Sequence, residues 1–174
     1  YSSKILYKLE FLKEYCSYVS PLFLSSNGKS KKALIFDCDN TLWGGVLGED
    51  GFDGINMSKD HKNGQIFHEI QIMAKNLNSQ GVILGLCTKN NLHDVEEVIK
   101  AHPDFLLDDT NISVTRSNWE NKAQNLVSIS EELNIGLDSM VFIDDSSFEV
   151  DLIRESLPEV TVLQVPSNLY AYPG

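Results

Sequence analysis

Cysteine is scarce in this chain, with three in 174 residues. Cys16, Cys38 and Cys87 lie far apart and form no Cys-x-x-Cys pair. That argues against a zinc ribbon or a disulfide framework and makes a reducing cytoplasm the simplest home. Positive charge is also short: Lys+Arg total 14 against 25 Asp+Glu, a net charge of -11. Lys29, Lys31 and Lys32 make the only basic cluster, and it reads as a solvated lead-in to a strand. Without a basic stripe the chain is a poor partner for nucleic acid or an anionic membrane. No apolar run approaches the roughly 20 residues needed to cross a bilayer, and no signal-peptide pattern, repeat or low-complexity tract stands out. The first residue is Tyr1, not Met, which leaves room for an upstream signal or domain.

Hydrophobic residues are plentiful at 42%, enough for one domain with a substantial core. Ile5, Leu9, Leu12, Tyr15, Cys16 and Val19 recur at helical spacing, so residues 1–30 read as an amphipathic helix and linker. That helix either docks on the domain or is the tail of an absent upstream one. From residue 31 onward, strands and helices alternate. Helices are expected over 63–79, 92–101, 120–133 and 147–156. Strands are expected at 33–36, 82–87, 140–143 and 160–165, with shorter candidates at 105–107 and 112–114. Asp50-Gly51 between short apolar pieces signals a hairpin, read as a small flap. Such alternation predicts an α/β fold, a three-layer doubly wound parallel sheet over 31–174. The span between Thr41 and Val82 holds only a hairpin and one helix, too little for a full cap domain.

The run Ala33-Leu34-Ile35-Phe36 ends abruptly in Asp37-Cys38-Asp39-Asn40-Thr41. Open α/β sheets bind ligands just beyond the carboxyl ends of their strands. Two acids placed there repel each other unless a cation or a proton is shared between them. The pattern points to a Mg2+-assisted phosphate site; an Asx-capped turn is the structural alternative. Two other strands also end in polar chemistry, at Thr88 and at Asp144-Asp145, and Lys122 stands near the start of the helix before the latter. Taken singly, Thr88 reads as a helix cap, Lys122 as a surface lysine and Asp144-Asp145 as capping residues. His61, His68, His93 and His102 show no ligand-like pairing and read as surface or packing residues.

In this order and strand context, Asp-x-Asp-x-Thr, Thr, Lys and Asp-Asp resemble the haloacid dehalogenase (HAD) superfamily of phosphatases and phosphotransferases. The resemblance implies a HAD-like, Rossmannoid fold over about 31–165 and a Mg2+ cofactor. It implies Asp37 as nucleophile forming an aspartyl-phosphate, and Asp39 as general acid and then base. Thr88 and Lys122 complete the catalytic set by binding phosphoryl oxygens and neutralising charge. The metal would be held by Asp37 and Asp144, by the backbone carbonyl of Asp39, and by Asp145 directly or through a water. Thr41 would fix the loop.

The longer run from Asp37 to Gly51, with Leu86-Cys87-Thr88-Lys89-Asn90-Asn91, Asn118-Trp119-Glu120-Asn121-Lys122 and Phe142-Ile143-Asp144-Asp145, resembles the FkbH-like branch (subfamily IIIC). That resemblance adds Trp43, Gly44, Gly45, Lys89 and Asn90 to the phosphate- and substrate-binding candidates. It implies a function in polyketide biosynthesis: taking the glyceryl unit of 1,3-bisphosphoglycerate, removing phosphate, and passing a glyceryl thioester to an acyl carrier protein. The chain departs from that family where Thr88 replaces a common Ser, where Ser146-Ser147 follows the paired acids, and in its last residues. A general phosphatase for a phosphoprotein or sugar phosphate is the rival enzyme, and a non-catalytic docking domain the rival of another class. Cys38 and Cys87 flank the chemistry and are candidate acyl carriers, but strand alternation turns both away from their polar neighbours, toward the core.

Overall fold

The computed structural model describes residues 31–166. The amphipathic helix expected within residues 1–30 lies outside the described residues, as does the segment after Pro166. Five strands form one all-parallel sheet: β1 (Ala33–Phe36), β2 (Ile83–Thr88), β3 (Ile112–Ser117), β4 (Met140–Asp144) and β5 (Thr161–Gln164). The helices are α1 (Leu47–Asp50), α2 (Gln65–Ser79), α3 (Leu92–Ala101), α4 (Lys122–Leu133) and α5 (Ser147–Ser156). The strand order is β3-β2-β1-β4-β5. The chain therefore winds outward one way from β1 and then returns to build the other half. The crevice between β1 and β4 is the switch point where ligands bind in such sheets.

Side-chain alternation along β1 divides the core. Leu34 and Phe36 face a layer made by α2 and α3, through Ile66, Ile70, Ala74, Val95 and Val98. Ala33 and Ile35 face the opposite layer, with Leu126 and Ile129 of α4 and Ile153 of α5. Met140 and Phe142 of β4 share that second face. Continued by two residues, this phase carries Asp37 and Asp144 toward the amino end of α4. Asp37 is level with β4, its N–H donating to the Ile143 carbonyl at 2.8 Å. The helix 120–133 begins at Lys122 because Asn121 caps it, accepting from the Ala123 N–H at 2.8 Å.

Two local expectations fail. Residues 105–107 are not a strand. Phe105 and Leu107 are apolar because they enter the α2/α3 layer, Phe105 meeting Trp43 edge-on at 5.9 Å. The intervening Leu106 N–H donates to the side chain of buried Gln71, at 2.7 Å, not to a neighbouring strand. Asp50-Gly51 does not form a two-residue hairpin turn either. It ends the helical turn α1, with Gly51 at φ +72°. The flap is nonetheless closed at its base, where Gly44 and Asn56 exchange two backbone hydrogen bonds of 2.8 Å. Among the described residues, no cap domain covers the sheet.

Gly85 is closely packed in β2. A Cβ there would sit 2.7 Å from both Ile35 Cδ1 and Val114 Cγ1. Gly85→Ala is expected to lower unfolding free energy by about 1–3 kcal/mol through overpacking. Urea denaturation checks this, and an unchanged midpoint contradicts it.

Candidate active site

The site is built around one ammonium. Lys122 Nζ donates to Asp37 Oδ1 at 2.8 Å and to Asp144 Oδ2 at 2.7 Å. All three residues are buried: Lys122 and Asp37 are 4% and 5% exposed, and Asp144 fully buried. The face of the Phe142 ring lies 5.9 Å below the ammonium and adds a cation–π contact. Asp144 is fixed from its other side by the Ser146 N–H, 2.8 Å from Oδ1. Oxygens of Asp37, Asp144 and half-buried Asp145 come within 4.8 Å of one another.

One lysine cannot balance three clustered carboxylates, and burial adds to the difficulty of keeping all three charged. Burial pushes the Asp37 carboxyl up to about 7; the charge of Asp144 adds to the rise, while Lys122 and the Thr88 hydroxyl oppose it. Asp145 is also raised, by burial and then by Asp144. Burial works against the Lys122 charge, but the two carboxylates outweigh it and hold the ammonium above the ordinary lysine range. An all-oxygen, electron-rich cluster short of positive charge fits a hard divalent cation such as Mg2+. The side chain of Asp39 stands outside this cluster.

Asp39 has a separate setting. Its Oδ1 accepts from Trp43 Nε1 at 2.9 Å and from the Leu47 N–H at 3.0 Å, and its Oδ2 accepts from Asn90 Nδ2 at 3.0 Å. The same Asn90 nitrogen reaches Thr88 Oγ1 at 3.0 Å. Trp43 is fully buried and Asn90 is 4% exposed, so both meet Asp39 instead of forming an open substrate wall. The flap shapes this arrangement. Gly44 lies where a Cβ would meet the Phe67 ring at 2.8 Å, and Gly45, at φ +102°, donates its N–H to Asn40 Oδ1 at 3.0 Å. That conformation delivers the start of α1, and with it the Leu47 N–H, to Asp39.

The remaining candidates scatter around this centre. Thr88 is buried at the end of β2, and Ser117 Oγ at the end of β3 holds the Asn90 carbonyl at 2.8 Å. Thr41 is fully buried; its N–H donates to the Cys38 carbonyl at 3.1 Å, and its hydroxyl has no partner. Lys89 Nζ pairs with Glu149 Oε1 at 2.6 Å. Sequence reasoning did not single out Glu149 or Ser117. The available signal for Glu149 was an acid in the first turn after Asp144-Asp145. Cys38 and Cys87 are buried on opposite faces of the sheet. Burial, reinforced for Cys38 by Asp37, pushes both thiols up, Cys87 to about 12. The four histidines lie outside the carboxylate cluster; His102 packs on the Phe52 ring at 4.9 Å.

No protein-family model matches the chain, and no curated protein matches it. Among solved structures it is similar to the N-terminal part of a Bacteroides fragilis protein containing a phosphatase domain, complexed with Mg2+. The identity is 42% and the TM-score 0.81, over 86% of this chain and 40% of that one. It thus spans well under half of that relative. A Geobacter sulfurreducens HAD-superfamily hydrolase of subfamily IA aligns at TM-score 0.53 and 17% identity, over 80% of this chain and 89% of that one. A Bacteroides thetaiotaomicron HAD-family enzyme in a magnesium complex aligns at 0.51 and 13%, over 78% and 93%. At those identities the last two speak to fold alone. The chain shares the HAD-like α/β fold of these structures.

Two outcomes follow from the site's electrostatics. A proton and a cation compete for Asp37, whose carboxyl is raised to about 7. Calorimetric Mg2+ affinity is therefore expected to be flat above that pH and to fall by up to about tenfold per unit below it; a pH-independent affinity contradicts the site. Native iodoacetamide treatment followed by peptide mass spectrometry should leave Cys38 and Cys87 unmodified. Rapid labelling of either would show a thiol open to chemistry.

Proposed function

We propose that this chain is a Mg2+-dependent phosphatase-type enzyme working through an aspartyl-phosphate on Asp37. The observation that carries the reading is the Lys122 ammonium shared between Asp37 and Asp144 at the switch point of the sheet. When bound by Asp37, Asp144 and Asp145, with the Asp39 backbone carbonyl, Mg2+ supplies the positive charge that lets a carboxylate approach a phosphate dianion. An Asp37 oxygen attacks phosphorus as the bond to the leaving oxygen breaks. Asp39 gives that oxygen a proton, then takes one from the water that attacks the aspartyl-phosphate and releases phosphate. Asp39 Oδ1 is occupied by two donors, whereas Oδ2 accepts only one, so Oδ2 is the atom that carries this proton. Lys122 and Thr88 stabilise the phosphoryl charge.

The finer reading is FkbH-like: the phosphate comes from 1,3-bisphosphoglycerate and the glyceryl unit is loaded onto an acyl carrier protein. Its support is the run from Asp37 to Gly51 together with the lack of a cap domain among the described residues. Trp119 and Phe148, 71% and 70% exposed, lie within four residues of Lys122 and Asp144, where a large partner would meet them. A general phosphatase shares every catalytic residue and differs only in what presents the phosphate. A non-catalytic docking domain would not need the acids and Lys122 so closely assembled.

Phosphate release from a panel of phosphoesters, and from 1,3-bisphosphoglycerate with carrier protein, tests both levels. Wild type should release phosphate only with Mg2+, Asp37→Asn should show none, and Asp39→Asn should lose about 10²–10⁴-fold. Metal-independent release, equal in wild type and Asp37→Asn, contradicts the mechanism. Turnover of simple phosphoesters without carrier loading supports the general phosphatase.

A further inference from the structure

Glu149 has no part in the chemistry above, yet it lies among its residues. It occupies the first turn of α5, four residues beyond Asp145, and its N–H is capped by Ser146 Oγ at 3.4 Å. Its side chain is only 7% exposed. Oε1 accepts from Lys89 Nζ at 2.6 Å, whereas Oε2 is buried and accepts from nothing. An acid serving only the helix terminus would keep its oxygens in water. Burying one without a donor is unfavourable and calls for a compensating role. Lys89 directly follows Thr88, and its side chain is 38% exposed at the rim. β2 and β4 flank β1 on either side. The pair, 60 residues apart in sequence, therefore links the two loops that border Asp37.

We propose that Glu149 is a positioning residue that holds the Lys89 ammonium at the mouth of the site, where it binds the anionic oxygens of the substrate phosphate. This rests on the phosphatase reading. Lys122 has already given two of its three N–H donors to Asp37 and Asp144, so holding the remaining charge of the phosphate calls for a further cation that still faces solvent. Lys89 is such a cation. Paired with one carboxylate oxygen, it keeps two N–H donors for the phosphate. A lysine free on the rim would lose side-chain freedom on binding; Glu149 removes that cost in advance.

Calorimetric titration of inorganic phosphate at saturating Mg2+ tests this in wild type, Glu149→Gln, Lys89→Met and the double variant, with thermal unfolding as the fold control. Each single variant should weaken phosphate binding about tenfold, and the double should bind no more weakly than Lys89→Met alone. KM for a phosphoester should rise in proportion while kcat is retained. Equal affinity of wild type and Glu149→Gln, or a double variant whose loss is the product of the two singles, overturns the assignment. Should Glu149→Gln fail to fold, Lys89→Met decides, and an unchanged affinity there overturns it. A wild type that binds no phosphate with Mg2+ overturns the phosphatase reading and this inference together. Binding by wild type with no loss in Glu149→Gln overturns this inference alone.

Discussion

Everything at the carboxyl rim depends on a buried ammonium shared by two buried carboxylates. Removing Lys122, Asp37 and Asp144 from water is unfavourable, and contacts of 2.7 and 2.8 Å are the compensation. Without the lysine, two like charges would face each other across the β1/β4 crevice, and losing one partner of such a buried pair typically costs about 3–5 kcal/mol. The arrangement also pins the amino end of α4 to the centre of the sheet, 85 residues along the chain from Asp37. Its remaining charge deficit is what prepares the cluster for a divalent cation. Structure and chemistry thus draw on the same three side chains.

The flap serves a second constraint, the orientation of Asp39. The acid–base role proposed for Asp39 calls for a fixed side chain with one oxygen available. Three donors from three places (Trp43, the backbone at Leu47, and Asn90) supply that setting. The bends at Gly44 and Gly45 bring two of them there. The flap therefore acts inward, on Asp39.

Much of this was legible in the chain. The strand ends at Asp37, Thr88 and Asp144 could be read because continuous apolar runs stop abruptly at polar residues, as central parallel strands require. Lys122 was legible only through its order among the other motifs, since no local pattern marks a lysine that reaches two distant strands. Residues 105–107 misled because a buried coil and a buried strand share apolar composition. What separates them is the Gln71 side chain, which bonds the Leu106 N–H from another helix. The Asp50-Gly51 pair ends a helical turn because the Val46 N–H is held by Asp50 Oδ2 at 2.7 Å, a contact that favours coiling over hairpin pairing. Glu149 was illegible for a related reason. An acid in a first helical turn normally faces water, and its burial follows from how α5 meets the loop after β2.

The central claim is that Asp37, held by Lys122, becomes covalently phosphorylated. Acid quenching during turnover of a phosphoester with Mg2+, borohydride reduction and peptide mass spectrometry read this directly, because an acyl phosphate is reduced to the alcohol whereas a free carboxylate is not. The account predicts homoserine at position 37 and at no other aspartate. Reduction at another residue, or an Asp37 peptide left unchanged while phosphate is being released, would contradict it.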